Sequence, residues 1–360
     1  MKTSKLQTVL GTAGLLLTAV SLLLLPGTAA AAAQSALNLC AGTLLPSLFP
    51  YFVLTELWVR LGIAGRMGRA AGPMMAPLFH LPGAAAPALL LGAVGGYPVG
   101  AQAVCSLYAQ GLLTRQEAED TLAFCNNAGP AFVLGVVGGG LFQSAAMGAI
   151  LWAVHLGAAL VIGVLLRPAQ RPAAQAREAK IAAAPFRVAF PQAVRQAGVS
   201  FFSVCLYVIF FSVVTALVTQ LLPKTVTESS LYALLLGAVE LTGGTALLHP
   251  LPAALRFAAA AALLGFGGLC VQMQIQALLV REGLSGSNML RGKALQALLS
   301  GAVALCLGPL LPLPEPCLGG SGNDAIWYWL PGLFAAVCLL GLLWGRHTKI
   351  PSGNQGEYGL

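Results

Sequence analysis

The sequence predicts an all-α polytopic membrane protein with about eight spanning helices plus two re-entrant hairpins arranged as an inverted repeat. Three observations carry that prediction. Of 360 residues, 58% are hydrophobic and only 8% charged, and the apolar residues gather into runs near the ~20 that a spanning helix needs. Two of these runs are broken at mid-length, one by Gly95, Gly96, Tyr97, Pro98 and Gly100, the other by Glu240, Leu241, Thr242, Gly243, Gly244 and Thr245. The same seven residues, ALLLGAV, precede both breaks, at Ala88 to Val94 and at Ala233 to Val239.

The formal charge of +8 does not point to nucleic acid, because the basic residues sit in short connections between apolar runs and form no stripe with interleaved aromatics. The eight cysteines are scattered, mostly within apolar runs, with no CxxC pair and no metal-ligand spacing. They read as small core residues; no metal and no cofactor is expected. Catalysis has no support either. His80, His155, His249 and His347 are isolated, and no HExxH, GxSxG or P-loop is present. His155, inside an apolar span, reads as a packed or interhelical hydrogen-bonding histidine.

In chain order, Lys2 and Lys5 precede the apolar run Leu6 to Leu25, and small residues at Ala29 to Ala33 would suit cleavage. The run is long and apolar sequence resumes from Leu37, so a retained first helix (1–36) is expected. A second span, Leu37 to Val59, contains LLPSLFPYF (Leu44 to Phe52), where Pro46 and Pro50 bend it. Glu56 near its end reads as a carboxylate paired with Arg60, with a cavity acid as the other reading. Arg60, Arg66 and Arg69 make the next connection basic.

The hairpin candidate Ala88 to Cys105 follows. Glycine and proline at membrane depth free backbone groups that must face protein or a polar cavity. Thr114 with Glu117 three residues on is a capping-box signature for a helix start. That helix leads into FCNNAGPAFVLGVVGGG (Phe124 to Gly140), where Asn126, Asn127, Gly129 and Pro130 make a second break within reach of the first. A span at Met147 to Leu166 completes a first repeat, 37–166. The basic connection 167–197 leads to a second repeat, 198–281: a span at Gly198 to Leu222, the broken run Leu231 to His249, and Leu255 to Val280 with GFGGLCVQMQ inside it. Two closing spans, Leu295 to Leu311 and Trp327 to Trp344 within 282–346, precede a polar tail, 347–360.

Loop charge decides whether the broken runs cross or turn back. If both cross, the basic connection Arg167, Arg171, Arg177, Lys180, Arg187 and Arg195 falls outside. If both are re-entrant, it falls inside together with Arg281, Arg291, Lys293, Arg346 and Lys349, while Glu315 and Asp324 fall outside. The second topology obeys the rule. It makes the halves opposite in orientation and both termini cytoplasmic, in a multi-pass cell-membrane protein whose first partner is the lipid bilayer.

LLPSLFPYF, GGYPVGAQ and FCNNAGP together resemble the YlbJ family of sporulation integral membrane proteins, over about Leu37 to Gln276. The resemblance implies nucleoside-recognition (gate) domains similar to the core repeats of concentrative nucleoside transporters, a link to spore cortex formation, and by the same analogy a homo-oligomer. Gly95 stands where serine is expected, Gln102 where lysine is usual and Gly243 where asparagine is usual.

The candidate substrate-binding residues are therefore Gly95, Gly96, Tyr97, Pro98 and Gln102 at the first hairpin, Asn126, Asn127 and Gly129 at the next break, and Thr242, Gly244, Thr245, Gln272 and Gln274 in the second half. Amides offer both donor and acceptor to a ligand of mixed polarity; their structural alternative is glue between helices at a kink. Glu240, the carboxylate deepest in an apolar run, is the candidate for ion or proton coupling, with a structural acid bonded to the opposing hairpin as its alternative. Two functions stay open: a transporter of a small polar solute, for which a nucleoside is a candidate, and a non-transporting assembly or recognition factor that uses the gate fold as a scaffold.

Overall fold

The computed structural model describes residues 2–167 and 184–314. Most of the basic connection, the acidic pair Glu315 and Asp324, the span Trp327 to Trp344 and the tail lie outside the described residues. Every regular element among the described residues is helical.

Helix α1 (Lys2–Leu24) meets α2 (Pro26–Leu39) at a bend of 101°. The bend falls at Leu25, just before a proline that cannot supply the N–H to continue the ladder but suits a first helical turn. The alanine run that looked like a cleavage region is helical, as alanine's propensity favours. A π-helical turn (Cys40–Leu44) then leads into α3 (Leu45–Arg60), with Pro46 in its first turn and Pro50 inside it. The supposed basic connection is itself a helix, α4 (Ile63–Phe79), set 83° from α3. Its glycines and prolines read as a loop, yet Ala64, Gly68, Met75 and Phe79 line one buried stripe while Arg66 and Arg69 face outward.

The first hairpin consists of α5 (Ala86–Gly95) and α6 (Val99–Ala109). Each arm is about 15–16 Å long at 1.5 Å per residue, half of a ~30 Å hydrocarbon layer, and the arms pack on each other. The turn is made by Gly96 at φ +83°, and the Tyr97–Pro98 bond is cis. Next come α7 (Arg115–Cys125), started by a complete Thr114/Glu117 capping box, an extended break, a π-helical segment (Ala131–Leu141) and α8 (Ala145–Leu165).

The second half repeats this order. The 36-residue α9 (Phe186–Leu221) begins within what the sequence reads as connection. A short α10 (Lys224–Thr227) precedes the second hairpin, α11 (Ser230–Val239) and α12 (Leu241–Ala246), broken at Glu240. Then α13 (Ala253–Phe266) and α14 (Gly268–Arg281) form a helix interrupted at Gly267, and α15 (Ser287–Leu307) follows. Helix α15 packs on α13, α7 and α8.

Contacts fix the relative direction of the halves. Ala109 and Gln110, at the foot of α6, share a cavity with Leu278, Arg281 and Glu282 at the end of α14. The Ser285 N–H donates to Glu119 Oε1 at 2.9 Å, tying the start of α7 to the same end. At the opposite end Phe142, just past the π segment, packs edge-on against Phe257 in the first turn of α13, 5.6 Å between centroids. Hairpin α5–α6 therefore enters from one end and α11–α12 from the other. The interrupted helices α7–π and α13–α14 run antiparallel, and each packs against the other half's hairpin, α14 on α6 and the π segment on α12. This is the inverted arrangement.

The repeated heptapeptide has a packing reason. Gly92 of α5 lets Gly100 of α6 approach, and a β-carbon on Gly92 would stand 3.0 Å from Gly100 Cα; its equivalent Gly237 in α11 faces Gly244 of α12 at 2.0 Å from a β-carbon built there. Small residues let arms close without a hydrophobic driving force, which lipid does not supply.

Among the described residues four helices are long and apolar enough to cross a membrane, or up to six if each of two bent pairs is one span. Of the expected eight, the run through Asn126 to Pro130 is divided and Trp327 to Trp344 lies outside the described residues.

Candidate functional site

The four breaks touch in one row. A β-carbon on Gly129 would stand 3.1 Å from Gly96 Cα, one on Gly267 would stand 3.2 Å from the Tyr97 ring, and one on Gly268 would stand 3.3 Å from Leu241 N. Only glycine permits this approach, and Gly96, Gly267 and Gly268 also hold positive φ.

At the α7 break several freed backbone groups find side chains, as low-dielectric surroundings demand. The Ala128 N–H donates to His155 Nε2 at 2.9 Å, and the Trp152 indole N–H donates to Ala128 O at 3.2 Å. Lys293 Nζ donates to Asn126 O. Asn126 Oδ1 accepts from the Ala101 N–H at 2.7 Å, fastening the break to α6. Asn127 Nδ2 donates to Phe124 O at 2.9 Å, while its Oδ1 accepts from Gln296 Nε2 at 3.0 Å. Both asparagines are used because the chain is extended there, Asn126 lying at φ −92°, ψ 112°.

The second interrupted helix is met by Tyr97 from the first half and by its own Gln272. Tyr97 Oη donates to Leu264 O at 2.5 Å, and Gln272 Nε2 donates to Phe266 O at 2.8 Å. Glu240 does not reach the opposing hairpin; its carboxylate caps its own α12, accepting from the Thr242 N–H at 3.0 Å and the Gly243 N–H at 2.6 Å.

Of the residues singled out from sequence, Gly96, Tyr97, Asn126, Asn127 and Gly129 meet directly, with Gln102 one turn along α6 and Gln272 just beyond Gly267. The others serve their own elements. Gly95 and Gly244 are packing contacts against Val99 and Gly237; Thr245 bonds Thr242 O, and Gln274 bonds Cys270 Sγ. Pro98 begins the α6 turn through its carbonyl, which accepts from the Gln102 N–H.

Sequence reasoning missed Lys293 and Gln296. Lys293 was counted as a loop charge, but it lies in the second turn of α15 at 1% exposure. Lys293, Gln296 and Ser300 are all buried at i, i+3 and i+7, a polar stripe on one face of the helix. That spacing was the available signal. Five cysteines, Cys40, Cys105, Cys125, Cys205 and Cys270, are buried, as expected of core residues.

A polar cavity of about 290 Å³ opens beside α6, lined by Glu56, Arg60, Gln102, Ser106, Gln110 and Arg281 among others. Glu56, 3% exposed, fulfils both of its readings: it pairs with Arg60 at 3.3 Å and accepts from Gln102 Nε2 at 2.9 Å and Ser106 Oγ at 2.7 Å. Ser200 Oγ on α9 donates to Gln102 Oε1 at 3.0 Å. Two buried atoms near the row of breaks have no protein partner, the donor Asn126 Nδ2 and the acceptor Gln272 Oε1.

Residues 41–144, which hold the first hairpin and the α7 break, match the family model described as Gate: Nucleoside recognition. The chain is also 32% identical over 167 residues to the sporulation integral membrane protein YlbJ of Bacillus subtilis (strain 168), covering 46% of this chain. The chain is thus similar, over part of its length, to a gate domain and to YlbJ. The chain spans 41% of the length of the YlbJ relative it matches. No solved structure matches. Similarity to an integral membrane protein, together with several apolar helices, supports a multi-pass membrane setting.

Proposed function

We propose that this chain is a transporter-like protein that binds a small polar solute at the row of breaks and moves it by alternating access of the two repeats. Inverted repeats with interrupted helices meeting near the midplane suit that mechanism. The observation that carries the reading is the pair of orphaned buried atoms, Asn126 Nδ2 and Gln272 Oε1, one donor and one acceptor; a polar cavity reaches Gln102, the residue after Ala101, whose N–H donates to Asn126 Oδ1. Buried polar groups are rarely left unpaired, and a ligand of mixed polarity satisfies both.

A nucleoside is the first candidate, from the gate description of residues 41–144. Service in sporulation is carried over from the name of the similar Bacillus protein, and a link to cortex formation from the sequence resemblance alone. The chemistry is recognition and gating, not catalysis. The end that carries Arg60, Arg115, Arg167, Arg195 and Arg281 is assigned to the cytoplasm by positive charge, so the cavity beside Glu56 is the inner entry and Glu240 sits at the tip of the outer hairpin, where it serves coupling.

The scaffold reading is favoured by one observation: most polar groups at the α7 break are already satisfied within the protein. Thermal unfolding of the purified full chain in detergent, screened with nucleosides, sugars and cell-wall precursors, separates the two. A stabilising ligand whose effect is lost in Asn126→Ala and kept in Glu240→Gln supports solute binding. Absence of any stabilising ligand, with both variants functional in the cell, refutes it.

A further inference from the structure

We infer that the broken end of α7 is a monovalent-cation site that this chain occupies with its own Lys293 ammonium. The inference stands on geometry and holds whether or not a solute is moved. Helix α7 ends at Cys125, and the Asn126 carbonyl points away from the helical ladder at what is electrostatically the negative end of a half-helix. Unwound carbonyls and half-helix C-termini are where interrupted membrane helices hold small cations.

The groups around Lys293 Nζ form such a set. They are the Asn126 carbonyl oxygen, Gln296 Oε1 at 2.6 Å, Asn127 Oδ1 at 3.5 Å and the face of Tyr97, 5.6 Å from its centroid. All are neutral oxygens or a π face; none is a carboxylate. A fully buried cation is ordinarily paired with an opposite charge. This one is held by oriented dipoles and a ring, the means by which proteins hold an alkali or ammonium ion. The tether comes from α15 and reaches the first half's break and hairpin tip at once, so the cation also clasps the two repeats together.

Two consequences separate this from a merely structural lysine. The chain itself has no need of free sodium at this place, and a chain that lacks the tether but keeps the oxygens accepts a small cation instead. The test is thermal unfolding of the full chain in detergent, for wild type, Lys293→Ala and Lys293→Met, in choline chloride and with sodium, ammonium or methylammonium chloride substituted at constant ionic strength. Wild type is expected to unfold at the same temperature in all four. Lys293→Ala is expected to unfold lower in choline and to regain part of the loss, saturably, with methylammonium, ammonium or sodium. Lys293→Met, whose side chain fills the space, is expected to show no rescue.

Equal instability of Lys293→Ala in every salt overturns the inference, as does saturable stabilisation of wild type by sodium. If Lys293→Ala does not accumulate, the same salt series on Lys293→Ser decides, with the same two outcomes. No readout involves a transported solute, so failure here leaves the transport reading intact, and failure of that reading leaves this one intact.

Discussion

Replacement of Gly244 by alanine tests how the second hairpin closes. A β-carbon there would stand 2.0 Å from Gly237 Cα, 2.1 Å from Gly237 N and 2.9 Å from Ala233 O. Ordinary heavy-atom contact lies at about 3.5–4.0 Å, so the arms must part by roughly 1.5–2 Å. All three obstacles are backbone, which cannot rotate aside. Overpacking costs about 1–3 kcal/mol, against a gain of up to ~1 kcal/mol from alanine's helix propensity. The upper part of the range applies, for a net loss of about 2 kcal/mol. The assay is equilibrium or thermal unfolding in detergent, with Gly157→Ala, where nothing lies within 4 Å of the added carbon, as the control that stays at or above wild type. Gly92→Ala, whose carbon would meet Cys125 O at 1.9 Å, should fall with Gly244→Ala. Wild-type stability of Gly244→Ala would refute the close-packed hairpin and with it the packing reason for the repeated heptapeptide.

Gln296→Leu removes an acceptor of Lys293 and donors to Asn127 Oδ1 and His155 O, and should cost about 2–4 kcal/mol in the same unfolding assay; a loss under a few tenths would contradict the network. Glu240→Ala removes the α12 cap and should cost about 1 kcal/mol, whereas Glu240→Gln keeps a capping oxygen and should unfold near wild type while losing solute uptake, a split that capping alone does not produce. Single cysteines placed at Glu282 and at Lys224 in a cysteine-free chain should be labelled from the cytoplasm and from outside respectively; the reverse pattern would overturn the orientation drawn from basic residues.

How much of this was legible beforehand depended on whether a feature is periodic or relational. The two hairpins were readable because glycine and proline at membrane depth have a local meaning, and the Thr114 cap because its four-residue signature is local too. The inverted direction was readable from loop charge. Helix α4 was not, since its buried stripe of small residues looks like loop composition until Leu81 and Ala84 are packed against it. Glu240 stands out in the sequence as a carboxylate deep in an apolar run, yet its capping of α12 depends on ψ at one residue. Lys293 escaped because three arginines and lysines near one another suggest a loop, and nothing local says that α15 begins at Ser287 rather than Leu295.

The bonds at the breaks cross between the halves. Tyr97 from the first half answers the Leu264 carbonyl of the second, and Lys293 from the second answers the Asn126 carbonyl of the first. A single repeat set alone in a bilayer would therefore carry a bare carbonyl at its centre, where nothing else can meet it. Each half is an incomplete object whose missing donor is carried by the other. The two should be expressible as separate fragments only together, finding one another in the membrane as a matched pair.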